Sequence, residues 1–116
     1  MPGTLNVGVI GCGNISSAYF RLSKLFQPIE VKACADLNVE IAQAQAEQFG
    51  LEALSVEDLI SHSELDIVVN LTVPNAHFAV SKAILEAGKH VYSEKPLTLS
   101  LEDGLALRDL SEQKGL

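Results

Sequence analysis

The segment LNVGVIGCGNIS, residues 5–16, decides the fold expected for this chain. It begins with a short apolar run, residues 5–10, and continues through Gly11-Cys12-Gly13 into a stretch whose apolar side chains recur at helical spacing. Those apolar side chains are Ile15, Ala18, Tyr19, Leu22, Leu25 and Phe26. The segment therefore predicts a strand, a glycine turn and a helix that ends before Pro28.

The two glycines of this turn suit a backbone that must approach a ligand closely. Gly11 permits the tight turn, and the missing Cβ of Gly13 lets the amides of Asn14 and Ile15 reach a diphosphate at the start of the helix. Ser16 stands where a G-x-G-x-x-G motif has its third glycine, so the glycine pattern alone is weak evidence. Its place between a strand and a helix favours dinucleotide binding.

Asp36 follows the second predicted strand, residues 29–35, twenty residues beyond Ser16. A carboxylate at this place can accept hydrogen bonds from the adenosine ribose hydroxyls, whereas it would repel a 2′-phosphate. The next residues, Leu37 and Asn38, offer no arginine to offset that repulsion, so NAD is favoured over NADP. The alternative for Asp36 is a turn or capping aspartate before the second helix.

The rest of the chain alternates between strand and helix patterns. Further strands are predicted over residues 29–35, 51–54, 67–71 and 90–93. Further helices are predicted from Asn38 to Phe49, from Ser55 through Ile60, over residues 76–87 and from Ser100 onward. Such an alternation predicts an α/β fold with a doubly wound parallel sheet of five strands.

Two predictions concern which side chains face inward. In the second strand, simple alternation places Val31, Ala33 and Ala35 on one face. In the last helix, the pattern places Leu101, Leu105 and Leu110 on the inner side.

Composition limits the classes of protein that this chain can be. With 116 residues, 47% of them hydrophobic, it has the size of a single domain, residues 1–116. The net charge of -7 and the lack of a Lys/Arg cluster argue against direct nucleic-acid binding. No basic leader and no apolar run of about 20 residues is present, so we expect a cytoplasmic protein that does not bind a membrane. Cys12 and Cys34 have no metal-ligand spacing, which predicts small buried side chains and no metal.

Three further segments carry a resemblance to a known family. Together with Gly11-Cys12-Gly13-Asn14-Ile15, the segments Ala35-Asp36, Thr72-Val73-Pro74-Asn75-Ala76-His77 and Glu94-Lys95-Pro96 closely resemble the glucose-fructose oxidoreductase, inositol dehydrogenase and MocA family. The resemblance spans nearly the whole chain. It rests mainly on the Glu-Lys-Pro step and the Pro-Asn-x-His loop that precedes it.

The resemblance implies roles for the residues of these segments. Residues lining the cofactor cleft would be Thr72, Pro74, Asn75 and His77. Glu94 would meet the nicotinamide ribose, and Lys95 would be the catalytic residue beside the nicotinamide and the substrate. Pro96, counted with Lys95 among the cofactor-binding residues as well, would follow a cis peptide bond. Two alternatives remain open from the residues themselves: an exposed loop lysine for Lys95 and a local helix-start hydrogen bond for His77.

The resemblance also implies a function. We expect the cofactor half of an NAD-dependent dehydrogenase that oxidises a secondary alcohol of a sugar, cyclitol or other polyol. The substrate domain would lie beyond residue 116, so this chain alone would be inactive, and the full-length protein is expected to be a homo-oligomer. Two other functions known in the family are a glycosidase that uses NAD transiently and a transcriptional regulator that binds the dinucleotide without turnover.

Overall fold

A five-stranded, fully parallel sheet with the strand order β3-β2-β1-β4-β5 forms the centre of the domain. The computed structural model describes residues 4–116, and residues 1–3 of the predicted domain lie outside the described residues. The strands are β1 (Leu5–Ile10), β2 (Ile29–Ala35), β3 (Glu52–Ala53), β4 (Ile67–Asn70) and β5 (His90–Ser93). This strand order confirms the doubly wound α/β fold. From β1 the chain adds β2 and β3 on one side and then β4 and β5 on the other, and sheets of this kind bind ligands at the carboxyl ends of the strands where the order reverses, here between β1 and β4.

Five α-helices connect these strands or follow them. They are α1 (Ser16–Leu22), α2 (Val39–Phe49), α3 (Val56–Ser61), α4 (Pro74–Glu86) and α5 (Leu101–Lys114), and a short 3-10 turn, Ser23–Leu25, extends α1. The predicted caps are confirmed: Asn38 accepts from two amides of α2, and Ser55 and Ser100 accept from the amides of Asp58 and Asp103. Proline occupies the first position of α4, so this helix begins two residues earlier than predicted.

Apolar side chains form one cluster on each side of the sheet. Val7, Val9 and Cys34 belong to the cluster beneath α1 and α2, whereas Ile10 and Val68 belong to the opposite one, with Leu59 and Ile84. Both cysteines are free, and both are buried, the latter as predicted. This two-sided core leaves the carboxyl ends of the strands as the edge at which loops and helix starts meet.

A β-bulge overturns the predicted alternation in β2. Val7 pairs with Val31, but Gly8 pairs with Ala33, so Lys32 is an extra residue in the strand. The extra residue turns Val31 towards the cluster beneath α1 and α2, whereas Ala33 and Ala35 face the other cluster. The prediction that all three share one face is therefore wrong.

The inner face of α5 also differs from its prediction. Leu101 and Leu105 are exposed, at 79% and 40%, whereas Leu107 is buried and Leu110 partly buried. The helix packs against α4 rather than against the sheet, and this contact selects Leu107 as the inner residue. The prediction was wrong for Leu101 and Leu105 because leucine spacing alone does not show which face a neighbouring helix covers.

Within residues 4–116, no helix combines the length and the apolar character needed to cross a bilayer.

Candidate active site at the carboxyl edge of the sheet

A cleft of about 260 Å³ lies at the carboxyl ends of β1, β2 and β4. Four of the predicted site residues line it, namely Gly11, Gly13, Asp36 and Thr72. Its remaining walls are mostly apolar and are formed by Ile10, Leu37, Val56, Leu71, Val73, Ala76 and Val80. The cleft thus combines a glycine turn and one carboxylate with a largely apolar lining, a composition typical of a site for a small organic ligand.

Gly11 and Gly13 contribute to this cleft in different ways. Gly11 has a φ of 105°, and a Cβ atom there would lie 2.5 Å from the carbonyl oxygen of Leu71. A side chain at position 11 would therefore collide with backbone that cannot easily move. A Cβ at Gly13 would meet no protein atom within 4 Å, so glycine at this position leaves open space above the turn. The protein's own packing requires Gly11, whereas it does not require Gly13.

Ser16 takes the place of the third glycine and fastens the turn to its helix. The buried Ser16 hydroxyl donates to the carbonyl oxygen of Gly13 over 2.6 Å and accepts from Gln45 Nε2 over 2.9 Å. Gln45 belongs to α2, so the second helix supports the start of the first one. Asn14 and Ile15 are exposed beside the turn.

The Asp36 carboxylate lies between the glycine turn and the start of α2. Its Oδ2 accepts from the amide of Cys12 over 2.8 Å, and its Oδ1 accepts from the amide of Asn38 over 2.8 Å. The second contact is the local bond expected of a turn aspartate, while the first directs the carboxylate toward the glycine turn. Neither Arg21 nor Arg108 lines the cleft.

A second group of predicted residues follows β5. The amide of Glu94 donates to the carbonyl oxygen of Asn70 over 3.0 Å, which holds this loop against β4. Lys95 is exposed, and the peptide bond between Lys95 and Pro96 is cis, as the resemblance implied. Lys95 therefore projects from the same edge of the sheet that carries the cleft.

Tyr19 is a site residue that the sequence did not reveal. Its hydroxyl donates to Glu94 Oε2 over 2.8 Å, and burial together with this bond raises the pKa of Tyr19 to about 12. The same bond, supported by the amide of Lys95, lowers the pKa of the Glu94 carboxyl. Glu94 is thus held as a carboxylate beside Lys95. Helical spacing indicated only that Tyr19 lies on the apolar stripe of α1.

A buried polar network joins the two groups of site residues. Asn70 is fully buried, and its Oδ1 accepts from the hydroxyl of Thr72 over 2.6 Å and from the amide of Thr72 over 3.2 Å. Its Nδ2 donates to the carbonyl oxygen of His77 and to the hydroxyl of Ser81. The apolar sequence around Asn70 gave no sign that it fixes the loop after β4.

His77 lies inside this network, only 1% exposed. Its Nε2 is 2.7 Å from the carbonyl oxygen of Thr72, and its Nδ1 contacts the carbonyl oxygen of Pro96. These contacts favour the local-bond alternative for this side chain, since neither ring nitrogen is left for a ligand. Pro74 and Asn75 are exposed at the start of α4.

A larger apolar groove of about 440 Å³ lies elsewhere on the domain, between the sheet, α1 and Tyr92. Tyr19 reaches it, but none of the predicted site residues lines it. The cleft at the carboxyl edge is therefore the candidate site.

Comparisons with known proteins agree with this fold. The model of the Gfo/Idh/MocA oxidoreductase family, described as an NAD-binding Rossmann fold, matches residues 5–116. Inositol 2-dehydrogenase from Salmonella typhimurium is 31% identical over 116 residues, which cover 97% of this chain and 34% of that protein. The chain spans about a third of the length of this relative.

Two solved structures are similar to the domain. A 3-ketoreductase from Actinomadura kijaniata, in complex with NADP, has a TM-score of 0.93 at 29% identity. The matched region covers 98% of this chain and 36% of the ketoreductase chain. A dehydrogenase from Chromobacterium violaceum, in complex with NADH, has a TM-score of 0.91 at 27% identity. The matched region covers 99% of this chain and 34% of the dehydrogenase chain.

Proposed function

The chain belongs to the Gfo/Idh/MocA family of oxidoreductases, and on that premise we propose that it forms the NAD-binding half of a dehydrogenase. The observation that carries the proposal is the cleft in which the glycine turn and the Asp36 carboxylate face the same space. The open space at Gly13 fits a diphosphate that must lie close to the main chain. The carboxylate beside it fits a ribose.

The predicted residues other than His77 have the following places in this proposal. The main-chain amides of Asn14 and Ile15 bind the diphosphate, and Asp36 accepts from the ribose hydroxyls. Thr72, Pro74 and Asn75 border the path from the cleft to the Glu-Lys-Pro loop, and Glu94, kept ionised by Tyr19, accepts from the second ribose. Pro96 shapes the backbone that carries Lys95.

Lys95 is the proposed catalytic residue. NAD, when bound, accepts a hydride from the substrate carbon. The exposed ammonium of Lys95 orients the substrate oxygen and stabilises the negative charge that develops there. The Glu94 carboxylate precedes it in the same loop.

The proposed substrate is a secondary alcohol of a sugar, a cyclitol or a related polyol. Support comes from the relatives, since the Salmonella protein is named an inositol 2-dehydrogenase and the Actinomadura protein a ketoreductase. No described contact favours the glycosidase or the regulator over the dehydrogenase. We propose that the remaining two thirds of the relatives' length corresponds to the substrate domain of the full-length protein.

The choice of cofactor can be tested by titrating the protein with NAD and NADP in a calorimeter. We expect NAD to bind more tightly, and we expect Asp36→Ala to lower NAD affinity about 10- to 100-fold, because a hydrogen bond to a charged group contributes about 1.5–3 kcal/mol. Asp109→Ala, which removes an exposed carboxylate on α5, should leave both affinities unchanged. Equal affinity of the parent protein for both cofactors would refute the choice of NAD.

A further inference from the structure

His77 makes two contacts through its ring nitrogens, and a neutral imidazole can donate a hydrogen bond in only one of them. Its two ring nitrogens face two backbone carbonyl oxygens, those of Thr72 and Pro96. A carbonyl oxygen only accepts hydrogen bonds, and a neutral imidazole carries one N–H and one lone pair. Both contacts are hydrogen bonds only if both ring nitrogens carry a proton.

The surroundings hold this ring in place. Asn70 accepts from the amide and the hydroxyl of Thr72 and donates to the carbonyl oxygen of His77. It therefore fixes both the Thr72 loop on one side of the ring and the backbone of His77. The loop on the other side is tied to β4 by the amide of Glu94. A rotation of the His77 ring that would replace one carbonyl contact by a water contact is therefore opposed by hydrogen-bonded loops on both sides.

Burial opposes a charged ring, and the local charges partly offset this cost. The two charged groups of the adjoining loop are Glu94 and Lys95. The pKa of Glu94 is lowered chiefly by the hydrogen bonds from the Tyr19 hydroxyl and the Lys95 amide, so this side chain is held as a carboxylate. The carbonyl dipoles of Thr72 and Pro96 at the two ring nitrogens, with a carboxylate in the adjoining loop, favour an imidazolium.

We propose that His77 is a doubly protonated positioning residue that ties the Thr72 wall of the cofactor cleft to the Lys95-Pro96 segment. It acts on Lys95 through the carbonyl of Pro96 and does not touch the cofactor. Its effect on catalysis rests on the proposed function of Lys95, whereas its protonation does not. The two parts therefore need separate measurements.

The protonation can be read directly from the ring nitrogens of the unsubstituted protein, labelled with ¹⁵N-histidine, by NMR at neutral pH. Both His77 nitrogens are expected to show shifts of the N–H type. His62 is an internal control, because its Nδ1 accepts from the amide of Glu64 over 3.2 Å and must be unprotonated. One unprotonated nitrogen at His77 would overturn the doubly protonated ring, whatever Lys95 does.

The positioning role requires kinetics of the full-length enzyme with an inositol or sugar substrate. Because a 1 Å misplacement of a reacting group can cost about 100-fold in rate, we expect His77→Gln to lower kcat about 10- to 100-fold while the KM for NAD changes less than about threefold. His90→Gln, at an exposed histidine, is the matched control and should leave both constants unchanged. An unchanged kcat in His77→Gln, alongside a reduced kcat in Lys95→Ala, would overturn the positioning role and leave the proposed function intact.

Discussion

Lys95→Ala in the full-length protein is expected to lower the rate of hydride transfer about 100- to 1,000-fold, the effect of removing one group that stabilises developing charge. NAD affinity should change little, because the proposed binding groups are the glycine turn, Asp36 and Glu94. Single-turnover kinetics, followed by NADH absorbance, separate the chemical step from product release.

The control for this prediction is Lys82→Ala, which removes another exposed lysine from α4. It should leave the rate unchanged, so that a general effect of lost positive charge can be excluded. A normal rate of hydride transfer in Lys95→Ala would remove Lys95 from the mechanism and return it to the alternative of an exposed loop residue.

Gly11→Ala is expected to destabilise the domain by about 2–5 kcal/mol, the combined cost of a left-handed backbone and of overpacking. The reason is the φ of 105° together with the 2.5 Å approach of the added Cβ to the carbonyl oxygen of Leu71. Such a loss is large against a total stability of about 5–15 kcal/mol. Urea unfolding of the parent and the variant measures the difference.

Gly13→Ala provides the matched comparison, since the same methyl group there meets no protein atom within 4 Å. Its free energy of unfolding should stay within about 0.5 kcal/mol of that of the parent. Equal stability losses at the two positions would mean that the turn does not have the described geometry.

Most of the fold could be predicted because its signals are local. The strand at residues 5–10, the caps at Asn38, Ser55 and Ser100, and the order of strands and helices follow from short-range patterns that the tertiary structure leaves intact. The bulge at Lys32 could not be predicted, because it depends on how β2 pairs with β1. Likewise, the exposure of Leu101 depends on where α5 meets α4.

In the candidate site, too, some features follow from local sequence patterns and others depend on tertiary contacts. The glycine turn and Asp36 have a sequence spacing that places them on one cleft, and the structure has them there. The bond from Tyr19 to Glu94 joins residues 75 positions apart, and the ring of His77 joins two loops, so neither contact leaves a local pattern. Local patterns placed Gly11, Gly13 and Asp36 together, whereas the contacts of Tyr19 and His77 appeared only in three dimensions.

The most direct test of the central claim, that the main chain at the glycine turn binds the diphosphate of NAD, is a calorimetric titration of NAD into Gly13→Ala beside the parent protein. The added methyl group meets no protein atom within 4 Å, and it would lie in the space that we propose for the diphosphate. We predict that NAD affinity falls at least about 10-fold, or about 1.4 kcal/mol, while the fold is unchanged. An affinity equal to that of the parent would contradict the account.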